Sequence, residues 1–133
     1  MPDSQTNSHS YTVLVADDNE VAQRLCRRVL EKAGHKVLTA SDGQEAVNLA
    51  LGNPLDMILM DVAMPGMDGL EAMRQIKAQK PSLRIVIASA HSMASDRERF
   101  LAAGADDVLS KPFKLTELTA VVDRLAGQAP ESQ

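Results

Sequence analysis

Apolar residues along the chain alternate between short continuous runs and longer stretches of helical period. The runs at Tyr11–Ala16, Lys36–Ala40, Met57–Met60, Arg84–Ala88 and Asp107–Leu109 have the length and β-branched content of strands. A periodic segment follows each. After the first run Val21, Leu25 and Val29 form one stripe, with Ala22, Cys26 and Leu30 beside it, and Gly34 supplies the stop. Asp42 with Glu45, and Asp68 with Glu71, have the spacing of capped helix starts; the two helices end before Pro54 and Pro81. Ala46, Val47, Ala50 and Leu51 are expected to face inward from the second helix, and Leu70, Met73 and Ile76 from the third. The fourth helix is expected over about 93–103, ending at Gly104. The fifth runs over about 115–127, with Leu118, Val121, Val122 and Leu125 buried. Five strand–helix units with short links predict an α/β protein with a parallel sheet and helices on both faces.

Strand composition orders that sheet. V-L-V-A, M-I-L-M and I-V-I-A are apolar throughout, as strands covered on both faces are, whereas K-V-L-T and D-V-L-S are mixed and suit edges. With right-handed crossovers the simplest doubly wound order is 2-1-3-4-5, and ligands are then expected beyond the carboxyl ends of the strands.

Length and composition narrow the rest. The 133 residues suit one domain, expected over 11–127 between a polar tail at 1–10 and a C-terminal tail at 128–133. With 44% hydrophobic and 24% charged residues the composition is that of an ordinary soluble protein. A net charge of −4 and only Tyr11, Phe100 and Phe113 as aromatics argue against direct nucleic-acid binding. The single cysteine, Cys26, excludes an internal disulfide. With neither a signal-peptide pattern nor an apolar run of membrane length, a cytoplasmic protein without membrane contact is expected. With few residues after Gly127, no output domain is expected to follow there.

The chemistry collects at the strand ends. Strand 1 ends in Asp17-Asp18, strand 3 in Asp61 and strand 4 in Ser89, and strand 5 runs into Ser110-Lys111-Pro112. Singly, an aspartate there is a helix cap or a solvated loop residue, and a lysine or serine is a surface group. In the order 2-1-3-4-5, however, these four strands are neighbours, so three carboxylates, a hydroxyl and an ammonium converge. Two carboxylates about 5 Å apart at an effective dielectric near 20 repel by on the order of 3 kcal/mol, so such a cluster is kept where a cation occupies it or a proton is shared. Mg²⁺ suits such hard oxygen donors and completes its shell with water and phosphate.

The segments V-L-V-A-D-D-N-E, L-M-D-V-A-M-P-G-M-D-G, I-V-I-A-S-A-H and S-K-P-F, in this order and spacing, resemble a response-regulator receiver domain, the phosphoacceptor module of two-component signalling. The similarity covers about 11–125. It implies a flavodoxin-like three-layer (βα)5 fold in which Asp61 accepts a phosphoryl group from a histidine kinase or histidine phosphotransfer protein. It implies Mg²⁺ (or Mn²⁺) bound by Asp18, Asp61 and the carbonyl of Ala63, with Asp17 acting mostly through water. Lys111 would pair with the phosphoryl group, Ser89 would hydrogen-bond it, and the Lys111–Pro112 peptide would be cis. Such a domain switches a downstream partner, or output or kinase domains fused to it. It promotes its own phosphorylation and dephosphorylation without being an enzyme on a small-molecule substrate. The chain would be a free-standing regulator, a phosphorelay intermediate or a receiver from a hybrid kinase.

Some positions depart from the family or stay open. Where many receivers have a switching Tyr or Phe on strand 5, this chain has Val108, which shifts the expected output toward Ser89 and the loop to helix 4. His91 is an exposed loop residue or a neighbour of the phosphoryl group; His9 and His35 are expected in the tail and on the surface. Arg24, Arg27, Arg28 and Lys32 form a basic side of helix 1, either simply solvated or used to dock the phosphodonor. A Mg²⁺-dependent phosphohydrolase with an aspartyl nucleophile is the alternative class. Phosphatases of the haloacid-dehalogenase type place a second acid two residues after that aspartate, where this chain has Ala63. A dinucleotide enzyme is disfavoured because A-D-D-N-E replaces the glycine-rich turn.

Overall fold

In the computed structural model, which describes residues 10–90 and 93–126, strands and helices alternate without exception. The order is β1 (Thr12–Ala16), α1 (Glu20–Lys32), β2 (Lys36–Ala40), α2 (Gly43–Gly52), β3 (Met57–Asp61), α3 (Gly69–Gln79), β4 (Arg84–Ser89), α4 (Ala94–Ala102), β5 (Asp107–Ser110) and α5 (Leu115–Ala126). All strands are parallel, in the order β2-β1-β3-β4-β5. The apolar strands β1, β3 and β4 are thus central and the mixed ones are edges, as their composition predicts. The expected tails lie outside the described residues apart from Ser10, as does His91.

Alternation along the central strands divides the core in two. Leu14, Ile58, Met60, Ile85 and Ile87 pack with α2, α3 and α4 through Val47, Met73, Ile76 and Phe100. Val13, Val15, Met57, Leu59 and Val86 pack on the other face with α1 and α5 through Cys26, Leu30, Leu118 and Val122. Stripes on both faces of the central strands leave them no solvated side, which accounts for their unbroken apolar sequences.

Caps and glycines set the links. The Asn19 side chain accepts from the Ala22 N–H at the start of α1 (3.0 Å). Asp42 and Asp68 accept from the Glu45 and Glu71 N–H groups (2.8 and 2.9 Å), as their spacing predicts. The reciprocal half of the box differs: Glu45 accepts from Ser41, one residue before the cap, and Glu71 turns to Arg74 and Gln75. Gly34 and Gly104, at φ +98° and +122°, end α1 and α4 in the left-handed region.

Three expectations are corrected. The stripe of α1 that meets the sheet is Cys26–Leu30 with Ala22 and Val29 half-buried, whereas Val21 and Leu25 are 63% and 49% exposed. The two stripes are offset by one residue, about 100° around the helix, and the one that begins with the smaller Ala22 and Cys26 lies against the sheet. Leu51 is likewise exposed, and Leu49 takes the inward position on α2. His35 is buried rather than superficial. The turn at Gly34 sets it at the amino end of β2, where its ring stacks on Tyr11 (centroids 5.3 Å apart) and Nδ1 accepts the Tyr11 N–H (3.1 Å). Burial pushes its pKa below the ordinary value against the pull of Asp123 and Asp56.

Candidate functional site

The backbone ladder continues one residue past β1, β3 and β5 at the carboxyl edge. Asp17 N–H donates to Ala40 O (3.0 Å), Val62 N–H to Ala88 O (3.2 Å) and Lys111 N–H to Ser89 O (2.8 Å). These bonds set the residues just beyond the strands in one row, and the polar side chains meet there. One ligand oxygen from each of Asp17, Asp18 and Asp61 lies within 4.8 Å of the others. Lys111 Nζ spans two of them, 3.0 Å from Asp17 Oδ2 and 3.3 Å from Asp61 Oδ2. The remaining oxygens of those two aspartates face backbone donors: Asn19 N–H on Asp17 Oδ1 (2.9 Å) and Ala63 N–H on Asp61 Oδ1 (3.4 Å). Ser89 is 4% exposed at the end of β4, whose Ala88 is paired with Asp61. The Lys111–Pro112 peptide is cis. Every expected site residue therefore lies on this edge, and four of them, Asp17, Asp18, Asp61 and Lys111, form one cluster.

Burial sets the electrostatics. Asp61 is 6% exposed, and that burial raises its carboxyl pKa; Lys111 pulls it down and Asp17 pushes it up, leaving it above the ordinary value. For Lys111, burial works against the ammonium, but Asp17 and Asp61 outweigh it and hold the pKa above the ordinary value. The cluster thus has three acids around one cation, with the central acid reluctant to ionise. An oxygen-only donor set with excess negative charge fits a hard divalent cation.

Two features of this edge are not evident from motif spacing. Gly69 sits where a Cβ would come 2.2 Å from the Asp61 carbonyl oxygen, and its N–H closes the loop on Val62 O (2.9 Å). The glycine lets α3 begin directly against the residue bearing the central carboxylate; a glycine as the first residue after a helix cap was the available signal. Gln23 on α1 donates through its carboxamide to Asp17 O, Ala40 O and Ser41 Oγ. No spacing rule points to it. Beside the cluster, a largely apolar cavity of about 380 Å³ is lined by Leu25, Cys26, Phe113 and Leu115 among others. Cys26 is a core residue: burial, reinforced by Asp17, pushes its thiol up to about 11.

Residues 13–123 match the family model of the response regulator receiver domain. The chain belongs to this family. Among solved structures this receiver is similar to that of the sensor histidine kinase PA1611 from Pseudomonas aeruginosa PAO1, which has a magnesium ion coordinated in its active-site cleft. The two share 36% identity with a TM-score of 0.82, over 90% of this chain and 99% of that one. The receiver domain of the Francisella response regulator 1452 is similar too, at 32% identity and a TM-score of 0.85 over 89% and 98% of the two chains. Among curated proteins, the sensor histidine kinase GacS of Pseudomonas protegens is 38% identical over 137 residues, covering 99% of this chain and 15% of the kinase. The response regulator MprA of Mycobacterium sp. (strain KMS) is 43% identical over 108 residues, 81% of this chain and 47% of the regulator. The chain thus spans less than half the length of either curated relative. As a receiver it is a phosphoacceptor switch module of two-component signalling. Among the described residues no helix is long and apolar enough to cross a membrane.

Proposed function

We propose that this receiver takes a phosphoryl group from a phosphohistidine donor onto Asp61 in a Mg²⁺-dependent reaction. The observation that carries the reading is the Asp17–Asp18–Asp61 cluster bridged by Lys111. A carboxylate oxygen of Asp61 forms the new O–P bond as the N–P bond of the donor breaks, and the imidazole departs as the leaving group. Two negative partners repel each other on this path, so charge neutralisation and positioning are the main requirements. Lys111 meets the first: leaving Asp61 for the incoming phosphoryl oxygens, its ammonium keeps Asp17 as its other partner. Asp61 is positioned from behind, through Gly69 and the Ala63 N–H. Asp18, Asp61 and the Ala63 carbonyl would hold the ion, with Asp17 acting through water. Bound there, Mg²⁺ supplies electrostatic stabilisation of the phosphoryl oxygens. Ser89 receives one of those oxygens after transfer. Loss of the phosphoryl group to water uses the same residues, which makes the domain a self-resetting switch.

The donor surface follows from α1. Val21 and Leu25 are exposed beside Arg24 and Arg28, while Arg27 is engaged by Glu31 at 3.1 Å. An apolar stripe with basic flanks next to the acidic site suits docking of a histidine kinase or phosphotransfer protein through a helix with apolar and acidic residues. The unit that does this is residues 11–127, acting in the cytoplasm within a regulator or a kinase chain; no membrane or nucleic acid is contacted directly. Intact-mass analysis with acetyl phosphate tests the assignment. Wild type gains the mass of one phosphoryl group with Mg²⁺ and loses that gain with chelator, and Asp61→Asn gains nothing. A phosphorylated Asp61→Asn protein would refute it.

A further inference from the structure

We infer that Gln23 is a positioning residue for the metal-holding aspartate Asp18, an inference that rests on the proposed Mg²⁺ site. Asp17 is held from several sides: its N–H by Ala40 O, its Oδ1 by Asn19 N–H and its Oδ2 by Lys111. Asp18 is exposed, and its carboxylate has no hydrogen-bond partner among the described residues. Its direction is therefore set by its own backbone. The peptide joining Asp17 to Asp18 is planar, so fixing the Asp17 carbonyl fixes the plane from which Asp18 departs. Gln23 is the group that does so. Its side-chain nitrogen donates to that carbonyl, to Ala40 O (3.1 Å) and to Ser41 Oγ (3.1 Å). Two N–H bonds serve three acceptors, so one is shared, and all three acceptors lie at the carboxyl ends of β1 and β2. The cap at Asn19 fixes the first turn of α1, and Gln23 lies one turn on, directed back over the sheet edge. A carboxamide at this place ties helix, edge strand and acidic turn into one frame, which apolar packing cannot do for a peptide plane.

Such an outer partner of a metal ligand typically contributes about 10–100-fold in metal affinity. Gln23→Met keeps the length and removes the donor. Calorimetric titration with Mg²⁺ alone is expected to give a dissociation constant raised about tenfold. In the metal-free protein the Asp18 amide ¹⁵N resonance moves, since its peptide has lost the bond to the carbonyl. Gln23→Leu repeats the test with a second side chain. Leu30→Val separates this from general loosening of α1, because it loosens the far end of the helix within the core and leaves Mg²⁺ affinity at the wild-type value. Wild-type affinity in both Gln23 variants, or an equal loss in Leu30→Val, would overturn the inference. Wild-type protein that bound no Mg²⁺ would overturn the underlying site and the inference with it.

Discussion

Asp61 and Lys111 respond to burial in opposite senses, and each sense has a thermodynamic consequence. The folded pKa of Asp61 lies above the unfolded value, so its ionisation favours the unfolded chain. Stability falls as pH rises from the ordinary carboxylate range through the raised folded value, and the neutral protein bears that cost. Lys111 is the reverse: with a raised folded pKa it stabilises fully below the ordinary ammonium value and loses this as pH rises through the folded value. At neutral pH the ammonium is in place and the central carboxylate is strained. Metal-free Asp61→Asn at pH 7 is therefore expected to melt a few degrees higher than wild type, at about 3–5 °C per kcal/mol for a domain of this size. Lys111 keeps Asp17 as partner in that variant. The gap closes as the pH is lowered toward the ordinary carboxylate range, and added Mg²⁺ stabilises wild type more than the variant. Asp18→Asn gives a smaller change, because Asp18 is exposed. Scanning calorimetry at several pH values with chelator checks this; a lower-melting or pH-independent Asp61→Asn contradicts it.

Among the elements, α3 is the one whose start is fixed by the site. A methyl at Gly69 would overlap the Asp61 carbonyl at 2.2 Å, whereas one at Gly52, the last residue of α2, meets nothing within 4 Å. Overpacking against backbone costs about 1–3 kcal/mol, so Gly69→Ala is expected to lose that much in urea unfolding and to slow phosphorylation by acetyl phosphate. Gly52→Ala is expected to be neutral or to gain up to about 1 kcal/mol. Equal stability of the two variants would show that the close approach relaxes. Glycine chemistry of this kind is only half visible beforehand. The strand order was legible because burial on two faces leaves an apolar signature, and the acidic cluster followed from that order, since each acid ends a central strand. The inward face of α1 was not legible: two adjacent apolar stripes are offset by a single residue, about 100° around the helix, and the sheet selects between them. His35 was missed because a lone histidine after a glycine carries no sign of the Tyr11 ring that covers it. Gln23 reads like any polar helix residue until the ends of two strands are seen beneath it.

At the scale of the molecule, the edge that carries the proposed phosphoacceptor has to be connected to a surface that a partner reads, and β4, α4 and β5 are the elements placed to connect them. Helix α4 is lightly attached: Phe100 is its one buried residue, and its start at Met93 has no side-chain cap. Arg97 ties it to β5, donating to Val108 O (3.1 Å) and to Asp107 (2.9 Å), and Arg124 of α5 grips the same Asp107. Partial burial raises the Asp107 carboxyl, but the Val108 N–H and the two arginines outweigh it and hold it below the ordinary value. Val108 is buried and short, so β5 has no ring there that could swing between an inward and an outward pose. A pull on Ser89, at the end of β4, is therefore expected to be felt in α4 through the strand it follows and the Arg97 tie. Beryllofluoride with Mg²⁺, acting as a phosphoryl stand-in, is expected to shift the amide resonances of Ser89, Ala90 and α4 most, with those of α3 nearly still. Arg97→Ala releases the tie, and hydrogen exchange in α4 then accelerates several-fold without ligand while α3 stays protected; Arg97 is half exposed, which limits the effect. Beryllofluoride shifts confined to β5 and α5, or exchange in α4 indifferent to Arg97, would place the output on the other side of the sheet edge.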